Sequence, residues 1–179
     1  MSTYKIVVDS CCEIPDEIRK ELFIERVPLT LEVGEATVID DDNFDQAKFL
    51  KMVDECPTCP KSACPSPERY MQAYDEYVER VYVVTLTSKL SGSYNSAVLG
   101  KHLLEESGKK VPKIHVFDSL SASVGETQIV LKIKELEEAG RSFKEVVEIT
   151  ELFKNKMKTY FVLENMEKKK KNGRLTGIK

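Results

Sequence analysis

The chain has 179 residues, a formal net charge of −3, 41% hydrophobic and 32% charged residues. That suits a globular domain with its own core and excludes a disordered chain. No apolar run approaches the roughly 20 residues that span a bilayer. The acidic balance and the absence of tryptophan argue against nucleic-acid binding.

"MSTYKIVVDS" lacks a basic stretch followed by an apolar one, so it is not read as a secretory signal, and the cytoplasm is the expected location. Within it, "YKIVVDS" is a short apolar run ending in Asp-Ser, the pattern of a buried parallel strand. "PDEIRKELFI" follows as a helix with Pro15 at its start. "IERVPLTLEV" and "EATVID", on either side of Gly34, read as strands, with a hairpin as one arrangement. "NFDQAKFLKMVDEC" is an amphipathic helix. "PTCPKSACPSP" is rich in proline and is expected to be an extended loop. "SPERYMQAYDEYV" is a helix capped by Ser66 with Pro67 first.

Beyond it, "RVYVVTL" is a strand and "SGSYNSAVLGKHLLEES" a helix. "KIHVFDS" is a strand, and "SVGETQIVLKIKELEEAG" a long helix closed by Gly140. "SFKEVVEITELFKNKM" is a helix capped by Ser142, and "TYFVLEN" a further strand. Strands alternating with helices imply βαβ units: an α/β fold with a mostly parallel sheet flanked by helices. From Lys158 the chain turns basic, so residues 1–157 are expected to form one α/β domain and 158–179 to begin a second.

The five cysteines, Cys11, Cys12, Cys56, Cys59 and Cys64, are odd in number and do not suggest a disulfide framework. Cys56-Pro-Thr-Cys59 has redox-type spacing without the strand-then-helix setting. Incidental thiols are the leading reading, with redox sensitivity and metal binding as alternatives.

Ligands of open α/β sheets bind at the carboxyl ends of strands. Three strands here end in hydroxyl-bearing turns: Asp9-Ser10, Thr85 through Ser93, and Asp118 through Ser121. "TLTSKLSGSYNSA" alone holds six serine and threonine hydroxyls. Ser62 and Ser66 of the proline-rich stretch could join them. A helix beginning near Ser91 would direct free N–H groups at the same edge, and Gly92 would let a ligand come close. The ligand expected is a carboxylate or a phosphate. Each residue also has a plainer reading, Ser91 as a helix cap and Asp9 and Asp118 as turn residues.

Familiar catalytic patterns are missing. "LSGSYNSA" lacks the Gly-Lys-Ser/Thr ending of a phosphate loop, and there is no GxGxxG or GxSxG. His102 falls within a helix and His115 within a strand, positions unsuited to a general base. A serine-based hydrolase or transferase at the same strand ends remains the alternative to a pure binding protein. Lys168 to Lys171 read either as a solvated face or as a dock for an acidic partner.

In order and spacing, "VVDS", "VPLTLEV", "SACPSPERY", "TLTSKLSGSYNSA", "VFDSLSASVGE" and "NGRLTG" together resemble the DegV family. The resemblance implies a two-domain bacterial lipid-binding protein with a long-chain fatty acid lying between its domains. It also implies a non-catalytic role as the acyl-binding subunit of a fatty acid kinase, without a cofactor or metal. Ser62 would hydrogen-bond the carboxylate; Ser91, Gly92 and Ser93 would complete the head-group cradle; Asp9 and Ser10 would lie beside it. Arg174 would contact the kinase partner. Val8, Ala63-Cys64 and Asn172 depart from the family's usual residues. Family members run about a hundred residues longer than this chain. It is therefore expected to be a fragment or a truncated member, to bind long-chain acids weakly, and to expose apolar surface that invites homodimerisation.

Overall fold

The computed structural model describes residues 3–74 and 77–160. Its centre is β1 (Tyr4–Asp9), where Ile6, Val7 and Val8 are wholly buried. β1 pairs in parallel with β2 (Ile24–Val27) on one side and β6 (Arg80–Thr85) on the other. β7 (Lys113–Asp118) extends the sheet beyond β6, giving the order β2-β1-β6-β7. Successive side chains on these strands serve opposite faces. Val7, Val81, Val83 and Val116 pack with Tyr70 and Ala97 on one face; Ile6, Val8, Tyr82, Val84 and Phe117 pack with Ile129 and Ile133 on the other. Burial on both sides explains why these strands read as continuous apolar runs.

The first face is covered by α3 (Pro67–Ala73) and α4 (Ser93–Glu106), the second by α5 (Val124–Glu138) and α6 (Phe143–Lys154). Ser66 caps α3 by accepting from the Arg69 amide, and Ser142 caps α6 by accepting from that of Glu145. Both caps match the sequence reading. α3 and α4 approach closely because α4 carries Gly100, where a β-carbon would lie 2.5 Å from the Pro67 carbonyl oxygen. α3 ends at Ala73, short of the predicted run.

A three-stranded antiparallel sheet forms separately, in the order β4-β3-β5, from β3 (Thr30–Val33), β4 (Ala36–Ile39) and β5 (Lys61–Ala63). The β3–β4 hairpin turns at Gly34, whose φ of +60° suits glycine. The "IERVPLTLEV" run divides between the two sheets, β2 before Pro28 and β3 after it. The proline-rich stretch, expected to be a loop, contains β5, which pairs Ser62 with Leu31 of β3. Its prolines lie outside β5, so they remove no donor from the pairing. Short α1 (Asp16–Glu21) and amphipathic α2 (Gln46–Glu55) complete the architecture. α2 is capped by Asp45, which accepts from the Lys48 amide.

This is the expected α/β fold with a parallel sheet between helices. The expected second domain falls almost wholly outside the described residues, as do most of "TYFVLEN", the four-lysine run and Arg174. Among the described residues, no helix is long and apolar enough to cross a membrane.

Candidate carboxylate site at the strand ends

From β1 the chain passes to β2 on one side, while β6 lies on the other. The strand order therefore reverses between β1 and β6, which is where open sheets hold ligands. Asp9 closes that junction. Its carboxylate accepts from the Leu86 amide at 2.7 Å and from the Cys11 amide at 3.2 Å. Asp9 is wholly buried, so it ties two strand ends together rather than facing solvent. Burial raises its pKa to about 6 despite those two amides. Ser10 is also buried; its Oγ accepts from the Leu29 amide at 3.0 Å and anchors the segment leading from β2 to β3.

After β6 the chain makes a turn in which the Leu90 and Ser91 amides donate to the Thr87 carbonyl. The N-cap of α4 is Gly92, one residue beyond the predicted Ser91, and its side chain offers no oxygen to the helix. Ser91 acts from the position before it. Its Oγ accepts from the Ser93 amide at 3.2 Å and lies 2.9 Å from Ser93 Oγ. The remaining first-turn amides of α4 point out of the helix toward the strand ends, with the positive end of its dipole.

The small sheet approaches the same point. Cys64, just beyond β5, places Sγ 3.7 Å from Ser96 Oγ, and a β-carbon on Gly92 would meet that sulfur at 2.9 Å. Ser62 precedes Cys64 by two residues on an extended segment, so the two side chains share a face. Ser62, Gly92 and Ser91 thus belong to segments held against one another, with Ser93 beneath them.

Other hydroxyls hold the loops. Ser88 gives both its amide and its hydroxyl to Asp118, which also accepts from the Leu120 amide. Ser119 Oγ donates to the Ser121 carbonyl, and Thr85 Oγ1 to that of Phe117. These turns present Leu90, Leu120 and Val124 to solvent, at 37%, 44% and 64% exposure, an apolar fringe beside the hydroxyls. A cavity of about 520 Å³ at the end of β1 is lined by Ser10, Cys12, Ile14, Arg19, Arg26 and Val124. A larger one, about 730 Å³, lies at the opposite end of the sheet beside Arg80 and Lys113.

Sequence reasoning passed over Glu126. It sits in the first turn of α5, wholly buried, where its Oε1 accepts from the Ser123 amide at 3.1 Å. "SVGE" has the spacing of a capping box, and that box forms. The pattern does not show that the same carboxyl reaches Asp9: a carboxyl oxygen of each and Cys11 Sγ all lie within 4.8 Å of one another. Burial first, and then the Asp9 charge, raises the Glu126 pKa.

The hydroxyls and amides around Ser91 and Gly92 are neutral donors. His102 pairs with Glu105 on the surface of α4, and His115 pairs with Glu151. Neither partner is a serine of the cluster. All five cysteines are free thiols, and burial raises the pKa of both Cys11, to about 12, and Cys12. Such an arrangement can hold an anion through hydroxyl and amide hydrogen bonds, while the carboxylate that does stand beside a serine, Asp118 on Ser88, holds a turn.

A model of the family described as an uncharacterised DegV family protein matches residues 3–179. A DegV domain-containing protein of Streptococcus pyogenes is 42% identical over 178 residues, covering 98% of this chain and 63% of the relative. A solved DegV family protein from Ruminococcus gnavus, described with vaccenic acid, is 52% identical with a TM-score of 0.94, over 99% of this chain and 63% of that one. The Streptococcus pneumoniae fatty acid kinase B3 protein, loaded with linoleic acid, is 35% identical with a TM-score of 0.75, over 86% of this chain and 55% of that one. The chain thus spans somewhat under two thirds of the length of the relatives it matches, and it belongs to the DegV family.

Proposed function

We propose that this chain binds a long-chain fatty acid and takes no part in catalysis itself. The carboxylate is held by the hydroxyls of Ser62, Ser91 and Ser93 and by the backbone around Gly92, while Asp9 and Ser10 fix the loops beneath. The observation that carries this reading is the contact of Cys64 with the start of α4, which puts the Ser62 segment against Ser91 and Gly92 with no histidine near. Neutral donors leave a bound carboxylate oxygen free to be modified by another protein. The relatives solved with vaccenic and linoleic acids support the ligand class, and the kinase-linked relative supports a kinase partner. Arg174, outside the described residues, is proposed to contact that partner.

The acyl chain would leave along the fringe of Leu90, Leu120 and Val124, at about 0.8 kcal/mol for each methylene buried. Native mass spectrometry after bacterial expression tests the reading. A fatty acid mass that travels with the chain and is diminished in Ser91→Ala supports it; a chain that carries no lipid and takes none up on incubation contradicts it.

A further inference from the structure

Asp9 and Glu126 are both wholly buried and approach within 4.8 Å. Neither takes part in an ion pair among the described residues. Two ionised carboxylates so placed, without a cation, would be strongly unfavourable. The hydrogen bonds show which of them carries the charge. Asp9 accepts from two amides, which offset part of the rise that burial causes in its pKa. Glu126 accepts from one amide through Oε1, and its buried Oε2 has no hydrogen-bond partner. A carboxyl oxygen of Glu126 lies within 4.8 Å of one of Asp9 and of the Cys11 sulfur, so acceptors and a thiol surround the group. The other titratable groups felt there are Cys11, Cys12 and Tyr70, all neutral at physiological pH because burial raises their pKa values. An unpartnered oxygen facing an acceptor is satisfied by a proton of its own.

We infer that Glu126 is a positioning residue that keeps a proton and donates it toward Asp9, so that the buried pair carries one negative charge. That charge is spent on the Leu86 and Cys11 amides. It thereby fixes the junction of β1 with β6 and the turn that leads into α4, where the hydroxyls of the carboxylate site stand. A second charge there would repel an incoming carboxylate. The link to ligand binding rests on the function proposed above; the proton itself does not.

Infrared difference spectra of the chain against Glu126→Gln test the proton directly. At neutral pH the native chain should show the carbonyl band of a protonated carboxyl group that the variant lacks. Glutamine also donates a hydrogen from the same place, whereas alanine does not. Vaccenic acid should therefore bind Glu126→Ala at least roughly tenfold more weakly, with Glu126→Gln restoring most of the loss. Absence of the band, one divalent cation per chain by elemental analysis, or a glutamine variant as impaired as the alanine one would overturn the inference. If vaccenic acid binds no form of the chain, the ligand reading fails, and the infrared band still decides where the proton lies.

Discussion

Gly92 and Cys64 meet so closely that a β-carbon on the glycine would lie 2.9 Å from the cysteine sulfur. This contact joins the small antiparallel sheet to the helix start of the large parallel one. Cys64 Sγ also lies 3.7 Å from Ser96 Oγ, a contact that must shift if the thiol is to make room. Gly92→Ala should loosen the contact at a cost of about 1–3 kcal/mol and weaken fatty acid binding. Removing the sulfur as well, in Gly92→Ala with Cys64→Ala, should recover much of both. Thermal melts and ligand titrations of the four proteins in this cycle check it; equal losses with and without Cys64 would place the fault elsewhere.

Ser91 and Ser93 should separate by what each loss affects. Ser91 is partly exposed and supports the turn before α4, while Ser93 is wholly buried beneath it. Ser91→Ala should weaken ligand binding with under about 1 kcal/mol of lost stability. Ser93→Ala empties a wholly buried position, removes the hydroxyl that partners Ser91 Oγ, and should cost about 1–3 kcal/mol of stability. Urea denaturation alongside binding assays would distinguish them, and identical profiles would argue against the two-layer arrangement.

The buried carboxyls set a pH dependence with a definite sign. Asp9 and Glu126 have folded pKa values above their ordinary ones. The native state thus holds protons that the unfolded chain has released, and stability falls as pH rises. Asp9's share is lost between its ordinary 3.8 and about 6. Glu126's share declines from its ordinary 4.5 upward. Each proton contributes up to about 1.4 kcal/mol per pH unit. Glu126→Gln should therefore gain on the native chain steadily above pH ~4.5. Denaturation midpoints measured across that range test this, and parallel curves would show that Glu126 is ionised throughout.

Gly100→Ala should damage the fold rather than the chemistry. Its β-carbon would lie 2.5 Å from the Pro67 carbonyl and 3.0 Å from the Met71 amide, and backbone atoms cannot swing aside. α3 and α4 must separate, at a cost of roughly 1–3 kcal/mol or more. Calorimetry should find a lower melting temperature, and an unchanged one would mean that the helices pack less tightly than described.

Features that depend on local chemistry were legible in the sequence. Ser66, Ser142 and Gly140 ended or began helices where their side chains and backbone freedom suggested, and the apolar runs of β1, β6 and β7 formed the buried sheet. Features that depend on distant partners were not. β5 exists because Leu31 lies opposite Ser62, a pairing no property of the proline-rich stretch announces. The "SVGE" stretch shows only where a helix begins, and burial of Glu126 against Asp9 arises when α5 packs over the end of β1. The strand-end serines do gather at one edge of the sheet, near the β1–β6 junction. Which of them hold loops is visible only from their partners, as with Ser88 on Asp118.

Calorimetric titration of the delipidated chain with vaccenic acid, beside a folded Ser62→Ala/Ser91→Ala/Ser93→Ala variant, tests the central claim most directly. Saturable binding at one site, weakened at least roughly tenfold in the triple variant and with no hydrolysis of acyl esters by either protein, is the expected result. Absence of saturable binding, or an affinity indifferent to all three serines, would contradict a carboxylate cradle at these strand ends.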